Sequence, residues 1–279
     1  MNIEQILAVE NPLRLGVFVG LLATLAIAER MFPRRGDAVP GMRQLTNLGM
    51  VLIGTVVVRV VFPVLAVGFA AALQSRGIGL LPQLNMPAWL AIAIAFVLLD
   101  AAIYWQHRLL HRIPLLWRLH RVHHADMAFD VTLAVRFHPL EIALSMAIKF
   151  VVIAAIGAPA LAVLLFEIAL SAGSLWTHTD LRVPDALDRF LRRVIVTPDM
   201  HRVHHSVHPD ETDSNFSFHL SLWDHVFGSY RAQPRDGHLG MAIGLHEFRT
   251  PAEQSLLALL LNPFRAASPS QAAPPAVRE

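Results

Sequence analysis

The chain has 279 residues, 54% of them hydrophobic and 16% charged, with a mean hydropathy of +0.48. Charged residues make up about a quarter of an ordinary soluble domain, so the composition argues against a soluble globular enzyme and against a disordered chain. The formal charge of +2 gives nucleic-acid binding no support. With no cysteine, disulfides, thiolate nucleophiles, iron–sulfur clusters and Cys-type zinc fingers are excluded.

Four apolar regions follow in chain order. The first runs from Pro12 to Phe32, bracketed by Arg14 and Glu29. Both charges are expected near the interfaces, with Arg14 snorkelling outward. The opening Met-Asn-Ile-Glu has no basic segment and Glu29-Arg30 is a poor cleavage site, so an anchor is expected rather than a removed signal. The second region, Gln44 to Ser75, is uncharged except for Arg59. It exceeds the roughly 20 residues of a spanning helix and is expected to be tilted, broken near Pro63 or a hairpin. Arg59 is read as snorkelling or pairing inside the bundle. The third is uncharged from Gly77 to Leu99, with Pro87 opening a helix that runs past Asp100. In the fourth, Ile142 to Thr177, Gly157-Ala158-Pro159 signals a break between two antiparallel helices. Leu256 to Leu261 is too short to span and is read as interfacial; the tail from Ala266 is read as disordered.

Arginines cluster between regions one and two (Arg34, Arg35, Arg43), after region three (Arg108, Arg112, Arg118, Arg121) and after region four (Arg182, Arg189, Arg192, Arg193). The positive-inside rule makes these segments cytoplasmic. The expected fold is an all-α integral membrane bundle with a cytoplasmic helical cap. The organisation is read as an N-terminal transmembrane region (1–86), a central domain that carries the histidine clusters (87–232) and a C-terminal interfacial segment and tail (233–279).

The histidines are not spread evenly. Asp100, Tyr104, His107 and His111 share one helix face, because residues three and four apart are neighbours. The two imidazoles can hold a metal, with Asp100 and Tyr104 behind them as hydrogen-bonding partners. His120-Arg-Val-His123-His124 then repeats, residue for residue, as His201-Arg-Val-His204-His205. Packing gives no reason for such a repeat, and unpaired polar rings are costly to bury. A metal removes that cost. His178 lies where region four returns to the same side and is counted as a ninth ligand. His138, before Pro139, reads as a helix cap or a support for a ligand. His208, His219, His225, His238 and His246 lack paired spacing and are read as surface or packing residues. Eight or nine ligands exceed what one ion accepts, so two metals are expected; imidazole alone does not choose among Zn, Cu, Fe and Ni. Beside a hydrophobic bundle, such a centre suggests chemistry on a lipid.

The pattern H-x3-H, H-x2-H-H, H-x2-H-H resembles the fatty acid hydroxylase/sterol desaturase superfamily of membrane non-haem di-iron oxygenases. So do Phe129 to Glu141, Thr197-Pro-Asp-Met-His201 and Leu222 to Tyr230. The resemblance covers roughly residues 90–232, and Thr177 to Asp180 and Trp223-Asp224 resemble in particular the alkylglycerol monooxygenase branch. It implies two irons, O2 as co-substrate and hydroxylation of an unactivated C–H bond in a membrane lipid, at a bacterial inner membrane. The stretch Thr179 to Pro184 lacks the further histidine of the fatty-acyl 2-hydroxylase pattern, which argues against that activity. No nucleotide-binding glycine motif is present, so a reductase, ferredoxin or cytochrome b5-like donor, or a reduced pterin, is expected to supply electrons. Arg108, Arg112, Arg118, Arg121, Arg192 and Arg202 offer a basic surface for such a donor or for lipid headgroups, or form only the positive-inside flank. The alternatives are a lipid desaturase using the same centre and a divalent-metal-binding or transport protein, which should hold its ligands at mid-bilayer.

Overall fold

The computed structural model describes residues 2–36 and 41–266, and they are helical with no named strand; Pro33 and Leu181, Ile195 and Leu220, and Ser206 and Ile243 form isolated bridges. The long helices are α1 (Ile3–Met31), α2 (Met42–Val61), α3 (Ala66–Gln74), α4 (Ala88–Arg112), α5 (Pro114–His124), α6 (Pro139–Ile156) and α7 (Ala160–Thr177). Shorter ones follow: α8 (Asp185–Leu191), α9 (Pro198–His204), α10 (Pro209–Thr212), α11 (Leu222–Val226), α12 (Gly237–Gly240) and α13 (Leu256–Leu261). Five helical segments are long and apolar enough to span a bilayer: α1, α2 with α3, α4, α6 and α7. The chain is an integral membrane protein by this measure.

The sequence explains where the helices stop. Region two breaks at Phe62 and Pro63, between α2 and α3, because proline removes a backbone donor and clashes with the preceding turn. Pro87 caps α4. Region four is two helices, as expected. Gly157 ends α6 in the left-handed conformation (φ 66°) and Pro159 precedes α7. A side chain on Gly79 would lie 2.2 Å from the Gly157 backbone, so this turn closes only around glycine.

These breaks produce an up-and-down bundle. The C-terminal ends of α1, α4 and α7 and the N-terminal ends of α2 and α6 meet at one end. There Glu29 accepts hydrogen bonds from the backbone amides of Val131 (3.0 Å) and Asp180 (2.9 Å). The short helices cover this end. The opposite end carries an open cavity of about 1150 Å³ lined in part by Asn2, Glu4, Gln83 and Asn85.

Some expected placements change. Arg14 does not snorkel outward: it pairs with Glu10 (3.1 Å) and with Glu167 on α7 (2.7 Å), which also binds Lys149 of α6. An apolar bundle favours this internal neutralisation over carrying each charge alone. Glu29 likewise turns inward and serves as the backbone acceptor just described. Arg59 pairs with Asn11 (2.9 Å). One face of α13 packs through Leu259 on Met50 and Val122, while Leu257 stays exposed. The tail read as disordered lies, from residue 267, outside the described residues.

Candidate metal centre

Four pieces of chain deliver the nine histidines. His107 and His111 lie on the last turns of α4. Ile113 is at once the last cap of α4 and the first of α5, with Pro114 opening the new helix. A residue before proline is driven to extended geometry, so the chain turns a one-residue corner and folds His120, His123 and His124 back over His107 and His111. Thr197 caps α9 by accepting from the Met200 amide (3.3 Å), which sets His201, His204 and His205 opposite α5. His178 is the residue that terminates α7.

The rings sort into two groups. His107, His111, His120, His124 and His204 form one; His123, His178, His201 and His205 form the other. In each group one ring nitrogen per residue lies within 4.8 Å of every other. The repeated pentapeptide accounts for the division. Its outer histidines, four apart, share a face and serve one group, while the inner histidine serves the other. The first copy gives His120 and His124 to the five-membered group and His123 to the four-membered one. The second copy does the reverse.

All nine side chains are buried. Burial, reinforced by neighbouring rings, holds His123, His124, His201 and His205 well below the ordinary imidazole pKa. Burial lowers His204 to about 3 and His178 to about 4. These six rings are therefore neutral at pH 7, the form that ligates metals.

Hydrogen bonds fix which nitrogen faces inward. His107 Nδ1 lies 2.7 Å from the Phe216 carbonyl and His120 Nδ1 lies 2.7 Å from Glu141 Oε1. Both partners are acceptors, so both Nδ1 atoms carry the proton and both Nε2 atoms present lone pairs. Yet these two Nε2 atoms are 3.1 Å apart. Lone pair against lone pair is repulsive unless a cation lies between the ligands. His178 Nδ1 donates to the Ser174 carbonyl (2.7 Å), leaving its Nε2 beside those of His123 and His201, at 3.1 Å each. Nε2 of His111, His124, His204 and His205 is buried with no partner. Such orphaned acceptors are rare in native proteins. The residues present fit two metal ions.

Asp100 and Tyr104 do not stand behind the histidines. The Asp100 carboxylate accepts from His219 Nδ1 and Trp223 Nε1, each at 2.7 Å. The Tyr104 hydroxyl meets Ser229 Oγ (2.8 Å) and Arg108 (3.0 Å). They share the histidine face of α4, but one and two turns below the rings other elements intervene. The basic surface also changes. Arg202 is fully buried against Asp199, Arg121 bonds Asn262 (2.9 Å), and Arg192 pairs with Asp188 and the Ala232 carbonyl (2.7 Å). These three brace the cap, since a buried guanidinium must be paired.

The supports came from residues the spacing did not single out. Glu141, a carboxylate in the first turn of apolar α6, holds His120. The Phe216 carbonyl is set by Asp224, which accepts from the amides of Phe216 (2.8 Å) and Ser217 (3.0 Å). His138 is the expected cap, accepting from the Leu140 amide (3.2 Å).

Residues 92–229 match the fatty acid hydroxylase family model. The chain is similar to alkylglycerol monooxygenase of Danio rerio, 31% identical over 137 residues that cover 49% of this chain and 30% of that protein. It is also similar to ornithine lipid hydroxylase OlsE of Rhizobium tropici, 29% identical over 179 residues (64% of this chain, 51% of that one). Human alkylglycerol monooxygenase is 29% identical over 154 residues, 55% of this chain and 34% of its own. The matched stretch thus spans about half or less of each relative. No solved structure gives a significant match.

Proposed function

We propose, from the premise that residues 92–229 belong to the fatty acid hydroxylase family, that this protein is an O2-dependent lipid hydroxylase working with two irons. The observation that carries the reading is the convergence of nine buried imidazoles into groups of five and four. Two irons bound there would supply the redox chemistry: R–H, O2, two electrons and two protons become R–OH and water. The electrons come from an external reductase, ferredoxin, cytochrome b5-like protein or reduced pterin.

The chain's own residues bind, orient and exclude water. Glu141 and the carbonyls of Phe216, Ser174 and Ser214 keep the donor nitrogens turned inward. The Phe218 ring lies against both groups, 5.0 Å from His107 and 6.1 Å from His201, and packs on the apolar core of the bundle. It thus links the histidine groups to the apolar core, where a lipid chain entering laterally would approach them. The histidines stand at the end of the bundle, and a transporter would keep its ligands between broken helices at mid-bilayer. Arginine placement supports a cytoplasmic position for that end, at a bacterial inner membrane.

Comparative lipidomics of deletion and overexpression strains tests the activity. A lipid gaining one oxygen on overexpression supports it; loss of two hydrogens assigns desaturation instead; an unchanged lipid profile, with iron present, refutes both.

A further inference from the structure

We propose that His219, oriented by Asp100, is the hydrogen-bond acceptor that seats a donor-bearing group of the lipid substrate, a hydroxyl or an amide N–H, on the bilayer side of the metal centre. The proposal deepens the hydroxylase reading and rests on it.

His219 follows Phe218, the ring that lies against both histidine groups. It is wedged between α4 and α7, with its ring centroid 6.4 Å from Phe96 and 5.9 Å from Phe166. Asp100 lies about two turns along α4 from His107, on the side away from the cap. His219 therefore stands between the bilayer core and the metals. Its side chain is only 12% exposed. Asp100 accepts at both oxygens, from His219 Nδ1 and from Trp223 Nε1. A neutral imidazole that donates from Nδ1 to Asp100 presents a lone pair at Nε2. That Nε2 is buried and has no partner. It abuts Gly173 of α7, where a Cβ would stand 2.8 Å from Nε2 and 2.6 Å from the neighbouring ring carbon. Glycine at this position is what lets the imidazole lie flush against α7. Unlike the nine histidines, His219 lies outside both convergent groups, so a metal does not explain its orphaned acceptor. A substrate donor does: an unpaired buried acceptor is costly, and a ligand that satisfies it is selected over one that does not.

Binding without turnover tests this. The full-length protein, in phosphatidylcholine nanodiscs under anaerobic conditions, is titrated with a tritiated hexadecyl glycerol ether and with its fully O-methylated analogue, which lacks donors. The wild type is expected to favour the hydroxyl-bearing probe by about fivefold to tenfold. His219→Phe, which keeps a ring but no acceptor, should bring the ratio to about one, and His219→Gln should restore part of it. Asp100→Asn frees the imidazole to carry its proton on Nε2, so the preference should narrow although the packing is kept. Metal content should not change in any of these variants. No preference in the wild type, an unchanged preference in His219→Phe, or metal loss in His219→Gln would each overturn the assignment. Iron content and lipid mass report on the hydroxylase reading, and the binding ratio reports on the anchor, so the two can fail separately.

Discussion

The two histidine groups are built from the same pentapeptide, yet they are supported differently. In the five-membered group, Nδ1 of His107, His120 and His204 each meets an acceptor at 2.7 Å: the Phe216 carbonyl, Glu141 and the Ser214 carbonyl. His111 Nδ1 lies 3.4 Å from Asp213. In the four-membered group only His178 is held this way, by Ser174, while Nδ1 of His123, His201 and His205 is buried without a partner. Partners of this kind fix ring orientation and raise ligand basicity. The comparison teaches that identical ligand spacing does not make equivalent sites: the five-membered group is preorganised, and the four-membered group depends more on the metal itself.

The sharpest way to break the comparison is to remove one ligand of the weaker group. His123→Ala should empty the four-membered group, keep metal in the other and lower activity by more than about 100-fold, since even supporting residues cost about 10- to 100-fold. Wild-type turnover in that variant would refute its role. Acid comes next. In the metal-stripped protein His178 titrates near 4 and His204 near 3 when folded, against about 6.5 unfolded. These groups contribute their full stability above about pH 6.5 and lose it as pH falls, because the unfolded chain takes up the protons first. The melting temperature should drop steadily from about pH 6.5 toward 4; a flat profile would contradict the burial argument. Glu141→Ala should weaken metal binding about 10- to 100-fold in the five-membered group alone, as followed by competition with a chelator. The smallest effect is expected at His208, whose exposed pair with Asp236 (2.7 Å) lies outside both groups. His208→Ala should change stability by less than about 1 kcal/mol and leave metal content unaltered.

Much of this was legible in the sequence because it depends on short-range rules. Pro63, Pro87 and Gly157-Ala158-Pro159 break the chain where backbone geometry demands. The spacing of His107/His111 and of the two pentapeptides puts their rings on shared faces. What could not be read depends on which surfaces meet in three dimensions. Helical spacing places Asp100 and Tyr104 on the correct face of α4, but the segment from Phe216 to Ser229 crosses that face and takes their hydrogen bonds. Arg14, Arg121 and Arg202 look like interface charges by position. Their partners Glu167, Asn262 and Asp199 make them internal. The assignment of His123 and His204 away from their adjacent histidines follows from the interleaving of α5 and α9, which no single-element pattern contains.

The most direct test of the central claim is metal stoichiometry in protein purified without oxygen, measured together with Mössbauer spectra. Two irons per chain, in two distinct nitrogen-rich environments, is the outcome expected. Iron at one per chain or less in fully folded protein would show that the converging rings do not form a paired centre.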